Sequence, residues 1–419
     1  MPILCGCNSS GVVRGIVDLG TVGGTAHRLA GLLLALQLLA GCHGEPESAD
    51  AAVVSGLRVT QVLGGQGDSL AEGFRFADQP RTFTFPRDHG PHPAYRSEWW
   101  YLTGFMQDAQ GREYGVQYTL FRQALSPSPT GPGPWHTGQA FLAHLALTDV
   151  ARQQHYHAQR FSRGHPRLAG VSVQQTDPVA PAFQAILEDW SLSGSVAEPM
   201  VWQLDAAERD KFAVSLNFTQ TRALVLQGEQ GWSRKGPEAA SYYYSLPRLR
   251  TSGEVFVDGE LIPVSGWAWL DREWSTSVLG DHLQGWDWFA LQLTDGRSLM
   301  VFNLRRKDGQ RDPYNHGKLV TAQTSHQLLA EAYELRPQRY WQDSRGVLWP
   351  VAWQLILRDG STVDEAETLT IEALLDNQLM ETGLIYWEGL VAVYADGQRV
   401  GSGYMELTGY GDDRNTNQE

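Results

Sequence analysis

The run Trp267-Ala268-Trp269-Leu270-Asp271-Arg272-Glu273-Trp274 sets two carboxyl groups among three indoles. On a strand, alternate residues share a face, so Trp267, Trp269, Asp271 and Glu273 point the same way. A carboxyl held among rings and away from water keeps its proton and is able to pass it to an alkene. The ring faces then stabilise the positive charge that forms. Asp271 and Glu273 are therefore candidate catalytic groups, and Trp267 and Trp269 candidate ligand contacts. The same spacing also suits a structural role, in which Asp271 and Arg272 or Glu273 make a buried ion pair where two units join.

Other chemistry-bearing residues lie earlier in the chain. Asp88 and His89, with His92 close by, sit on a Gly/Pro-rich loop; a His beside an Asp either acts as a base or fixes the loop. Glu98 heads the aromatic run Trp99-Trp100-Tyr101 and is costly to bury alone, so it contacts ligand or pairs with an arginine such as Arg248. His144 lies mid-strand between apolar residues and reads as a core histidine or a ligand contact. Tyr242-Tyr243-Tyr244 puts rings on both faces of a strand, with Tyr243 a candidate for the cavity; Trp286 and Trp288 form a further aromatic pair. His155-x-His157 has no third ligand spaced to help it, so neither a metal nor another cofactor is expected. There is no Gly-x-Ser-x-Gly elbow, no His-Glu-x-x-His and no phosphate loop, which disfavours a conventional serine hydrolase.

The elements that must position these groups are strands. Fifteen Trp, fifteen Tyr and fourteen Phe in 419 residues suit a strand-rich fold and sites for apolar or planar ligands. Turn signals recur at Asp108-Ala109-Gln110-Gly111, Asp258-Gly259, Asp295-Gly296, Asp308-Gly309, Asp359-Gly360 and Asp396-Gly397. Asp-Gly supplies the positive φ that tight hairpins require. Leu328 to Tyr333 is the best short helix candidate. Glu98–Tyr118 and Trp286–Phe302 share one pattern: an aromatic strand, a Gly turn and a second strand. That repeat suggests two related β units, with the change of unit placed between 265 and 266.

Charge and cysteines exclude several classes. Lys plus Arg total 33 against 47 Asp plus Glu, a formal net charge of -14, so a nucleic-acid partner is not expected. The three cysteines are Cys5, Cys7 and Cys42. The rest of the chain therefore has no disulfide, no thiolate metal site and no cysteine nucleophile.

Residues Leu29 to Ala40 form an apolar run of about a dozen residues, the length of a signal-peptide core rather than a membrane span. Its ending, Leu39-Ala40-Gly41-Cys42, resembles a bacterial lipobox. The expectation is a signal peptide over 1–41, acylation of Cys42, and a tether over 42–70. Residues 1–21 read as an early start, with Val22 the alternative. His43 after the cysteine favours the periplasmic face of the outer membrane, and acyl chains anchor firmly there.

From about residue 70 to 411 the chain resembles the carotenoid 1,2-hydratase-like, or AttH-like, family. The resemblance rests on Phe85-Pro86-Arg87-Asp88-His89-Gly90, His92-Pro93, Glu98–Gly104, Ala143–Asp149, Ala268–Trp274, Tyr386-Trp387-Glu388-Gly389 and Gly403–Tyr410. It implies an all-β fold of two packed lipocalin-like antiparallel barrels, set at 71–265 and 266–411 before a tail at 412–419. Many members are exported proteins labelled secreted hydrolases; the hydratases add water to an isolated alkene without a cofactor through a His, a Trp, a Tyr and an Asp. No histidine lies beside Asp271 in its motif here. Two functions follow from these readings. One is a periplasmic lipoprotein that binds a lipid, isoprenoid or other elongated apolar molecule, with any membrane transport partner open. The other is a hydratase, isomerase or hydrolase on the same scaffold.

Overall fold

The computed structural model describes residues 72–174, 183–195, 199–276, 279–280, 282–358 and 366–411. The expected signal peptide, Cys42, the tether and the tail lie outside the described residues, as does the Asp359-Gly360 turn.

The first sheet is built from β1 (Ser97–Gln107), β2 (Glu113–Ala124), β3 (Gln139–Asp149), β4 (Gln154–Arg163), β5 (Ala169–Val173), β6 (Phe183–Leu187), β7 (Trp190–Gly194), β8 (Val201–Glu208), β9 (Phe212–Gln220), β12 (Ala240–Val257) and β13 (Glu260–Ser275). Two short strands, β10 (Val225–Leu226) and β11 (Trp232–Arg234), pair with β12. The order is β4-β3-β2-β1-β13-β12-β9-β8-β7-β6-β5, and the sheet rolls until β6 packs against β3 and β4. The second sheet contains β14 (Leu283–Leu293), β15 (Ser298–Arg306), β16 (His316–Val320), β17 (Ser325–Leu329), β18 (Tyr333–Gln342), β19 (Leu348–Arg358), β20 (Ala366–Ala373), β21 (Leu379–Glu381), β22 (Ile385–Ala395) and β23 (Gln398–Leu407). Its order is β17-β16-β15-β14-β23-β22-β20-β19-β18, with β21 on β22. All pairings are antiparallel, so the fold is all-β: two lipocalin-like barrels packed together.

The hairpins form where the turn chemistry demands them. Asp258 and Gly259 (φ 51° and 82°) join β12 to β13, and Asp396 and Gly397 (φ 49° and 74°) join β22 to β23. The repeat has a structural counterpart. In each sheet the aromatic first strand pairs with the next strand and with the last one, β1 with β2 and β13, β14 with β15 and β23. Residues 265 and 266 lie inside β13, which stays in the first sheet to Ser275; the second sheet starts at Leu283. The helix expected over Leu328–Tyr333 is not an α-helix. Leu328 and Leu329 close β17, Ala330–Ala332 make a single 3-10 turn, and Tyr333 begins β18. Pairing of β17 with β16 takes up the backbone groups that a helix would have used.

Both barrel interiors are filled. In the first, Trp100, Tyr114, Tyr118, Trp190 and Trp202 are fully buried among Leu and Val; in the second, Trp349, Trp353 and Trp387 play that part. The two barrels meet through their outer faces, where Tyr101, Tyr243 and Trp269 pack on Trp288, Phe302 and Tyr404. Gly115 permits the approach: a Cβ there would stand 2.8 Å from the Tyr404 hydroxyl and 2.9 Å from Leu390.

Candidate active site

Strand parity decides which side chains reach the seam. On β1 the odd positions, Trp99 and Tyr101, face the second barrel, while Trp100 and Leu102 fill the first. On β13 the same rule sends Asp271 and Glu273 outward. Register then brings Tyr101 opposite Asp271 and Trp99 opposite Glu273 on one side, with Ser245 and Tyr243 opposite the same acids on the other. The cleft at the seam encloses about 680 Å³ of unfilled space including its mouth. The first barrel supplies Trp99, Tyr101, Thr119, Phe121, Tyr243, Asp271 and Glu273, and the loop after β11 adds Lys235. Trp286, Trp288, Phe302, Leu304, Tyr386 and Glu406 come from the second, with Leu279 between.

Asp271 is 2% exposed, and among the described residues no cation lies within salt-bridge distance of it; Lys235 pairs with Glu273 instead. Ser245 (2.5 Å) and the Trp269 indole N–H (2.6 Å) donate to its Oδ1, and Tyr243 (2.6 Å) donates to Oδ2. The Trp288 N–H in turn donates to the Tyr243 hydroxyl at 3.2 Å. Burial pushes the carboxyl up to about 7, although those three donors favour its ionised form. Asp271 is therefore oriented like a carboxylate yet sits near the point where it gains or loses a proton at neutral pH. Glu273 is different: Lys235 Nζ lies 2.7 Å away and Ser241 donates to it, so it is a paired anion. Glu406, on the opposite wall, is pushed up to about 8, first by burial and then by Asp271 and Glu273. Its direct neighbour across β22, Glu388, is fully buried and raised well above the usual carboxylate range by desolvation and by Glu406.

The residues expected at a site divide into groups. Asp271, Glu273, Trp99, Tyr101, Tyr243, Trp286 and Trp288 converge on the cleft. Trp269 stands behind it, holding Asp271. His144 also stands one layer back: its Nδ1 lies 2.7 Å from the Tyr386 hydroxyl, and burial lowers the ring to about 4, so it orients Tyr386 as a neutral imidazole. Trp267 is elsewhere, in a groove at the end of the seam, under the Arg248 guanidinium at 4.4 Å.

Asp88, His89, Glu98 and Trp100 do not reach the cleft. They form a buried plug in the first barrel. Glu98 is held by Arg122 and Arg272, not Arg248, and accepts the His92 backbone N–H at 3.0 and 3.1 Å. Asp88 pairs with Arg81 at 2.8 Å and His92 at 3.2 Å; His89 meets the Tyr244 hydroxyl at 2.6 Å and is driven down to about 4 by burial. The Trp100 N–H bonds the His89 carbonyl at 2.9 Å, and the Arg272 guanidinium covers its ring at 3.7 Å. Sequence reasoning missed Lys235, Tyr386, Glu388 and Glu406 as site residues. The available signal was a glutamate inside two otherwise apolar strands, Tyr386-Trp387-Glu388 and Tyr404-Met405-Glu406. Among the described residues, no three His, Cys, Asp or Glu side chains are grouped as metal ligands.

The AttH-like family model matches residues 76–410. A crystal structure of a protein from Nitrosomonas europaea described as an AttH is 34% identical, covering 79% of this chain and 99% of that one, with a TM-score of 0.66. Kievitone hydratase from Nectria haematococca is 14% identical over 81% of this chain and 98% of its own, TM-score 0.54. CghA with Sch210972 is 13% identical over 81% and 97%, TM-score 0.51. The last two likenesses concern the fold alone. No curated protein matches the chain.

Proposed function

The chain belongs to the AttH-like family, and we propose that it is a cofactor-free acid–base enzyme acting on an apolar, unsaturated or planar molecule held in the cleft between its barrels. One observation carries this reading. Asp271 lies in an aromatic cleft with three neutral donors, no cation within salt-bridge distance among the described residues, and a proton affinity poised near neutrality. A carrier of lipid or isoprenoid needs only the apolar walls; nothing in carriage calls for a buried acid of this kind. The ring faces of Trp99, Trp286 and Trp288 suit a ligand on which positive charge develops as a proton arrives. Addition of water, its reverse, or a double-bond shift all fit that demand, and a hydratase among the fold neighbours agrees with it. The filled barrel interiors favour the seam over a lumen as the place where the ligand binds.

The proposal extends to location. Cleavage before Cys42 and acylation of its thiol would anchor the protein at the periplasmic face of the outer membrane, beside a supply of apolar substrates. The test of the function is label transfer. A mixed lipid and isoprenoid extract, incubated with the protein in isotopically heavy water, is read by mass spectrometry. We expect one apolar species to gain label with the native chain and none with Asp271→Asn. A compound that co-purifies unchanged, with no label from either protein, would make the protein a carrier.

A further inference from the structure

A proton transferred into a ligand must come from one group, and the reaction must release another proton elsewhere, so a lone acid is half of a machine. The cleft has a second acidic element on the wall facing Asp271. Glu388 and Glu406 are direct cross-strand partners on β22 and β23, both on the seam side, and among the described residues neither has a cation within salt-bridge distance. Like carboxyls placed opposite each other in an apolar seam cannot both ionise cheaply.

The surroundings confirm that this side of the cleft is acidic. Tyr101 of β1 donates to Glu388 Oε1 at 2.5 Å, while Glu388 Oε2 is buried with no hydrogen-bond partner among the described residues. Tyr386 and Tyr404 flank Glu388, and burial first, then the nearness of that acid, raises both phenols. Glu406 opens on the cleft beside the Trp286 indole and Trp288 of β14; it faces Asp271 and Glu273 across the gap, and the Lys235 cation acts on it. By contrast, every oxygen of Asp271 accepts a strong hydrogen bond, which suits a carboxylate.

We propose that Glu406, backed by Glu388, is the proton donor of the cleft and that Asp271 is its proton acceptor. This assignment rests on the seam cleft being the reaction site. In the forward step the Glu406 O–H bond breaks and a bond from that proton to the ligand forms, leaving a cation between the indoles and a carboxylate on Glu406. For an alkene, water then adds to the cation and its proton passes to Asp271. Protons on the two acids are restored by exchange with solvent, so the net change is alkene plus water to alcohol.

Acridine tests donation directly. It is planar, apolar and neutral at pH 7, and its emission moves to longer wavelength when the ring nitrogen is protonated. We expect acridine to quench the tryptophans saturably and to show the long-wavelength emission when bound at pH 7. Glu406→Gln should keep the quenching and lose the shifted emission; Glu388→Gln should weaken it; Asp271→Asn should leave it. Bound acridine that stays neutral in the native protein, or whose shift survives Glu406→Gln or disappears with Asp271→Asn, overturns the donor assignment. Absence of saturable quenching would instead remove the cleft as the ligand site, which is a failure of the underlying functional reading.

Discussion

Glu98→Gln separates a structural plug from a ligand site. Glu98 and Arg272 are 0% exposed and Arg122 is 2% exposed, so the change leaves two guanidinium groups inside the barrel without their anion. Removing one partner of a buried, hydrogen-bonded pair costs roughly 3–5 kcal/mol, because the remaining charge is stranded. At about 2–4 °C per kcal/mol for a domain of this size, the melting midpoint should fall by roughly 10 °C. The pH dependence has a definite sign. Desolvation works to raise the Glu98 carboxyl, but Arg122 and Arg272 outweigh it and hold the group well below the ordinary value of 4.5. A depressed carboxyl stabilises the fold above its unfolded pKa and loses that contribution as pH falls through the folded value. The native protein should therefore lose stability below about pH 4.5, and Glu98→Gln should flatten that limb. Urea unfolding followed by Trp fluorescence, between pH 3 and 8, measures both. If Glu98→Gln costs under about 1 kcal/mol yet abolishes ligand quenching, the plug reasoning fails and Glu98 belongs to the site.

Four further outcomes follow. Trp288→Ala should weaken binding of an apolar fluorophore by about 1 kcal/mol or more, whereas Trp267→Ala, outside the cleft, should leave it unchanged; titration of the two variants compares them. Asp271→Asn should gain stability relative to the native chain as pH rises from the ordinary carboxyl value of 3.8 to about 7, because over that range the unfolded carboxyl ionises while the folded one keeps its proton; denaturation at pH 4 and pH 8 measures the gain. Cys42→Ser should abolish partitioning into detergent and leave the precursor uncleaved, which mass spectrometry of the expressed protein detects. Prolonged treatment with a chelator should shift the unfolding midpoint by less than about 1 °C, consistent with no metal contributing to the fold.

Strand parity explains what the sequence revealed and what it hid. Hairpins were legible because Asp258-Gly259 and Asp396-Gly397 carry their own turn geometry. Trp267, Trp269, Asp271 and Glu273 share a face by strand parity, yet only Asp271 and Glu273 of them line the cleft. Six residues of extended chain span about 20 Å, so Trp267 ends in a different groove from Glu273. Glu98 and Trp99 are adjacent in sequence but face opposite sides of β1, and grouping them put a structural acid among ligand contacts. Tyr386 and Glu406 reach Asp271 only through the packing of two barrels, and Lys235 reaches Glu273 from the loop after β11; no local pattern encodes either approach.

The protonation state of Asp271 tests the account most directly. Infrared difference spectra of the native protein against Asp271→Asn, recorded from pH 5 to 9, isolate the carbonyl stretch of its protonated carboxyl. The account predicts a band present at pH 5 that disappears with a midpoint near 7. A carboxyl already fully ionised at pH 5 would contradict it, leaving Asp271 an ordinary anion rather than a group poised near neutrality.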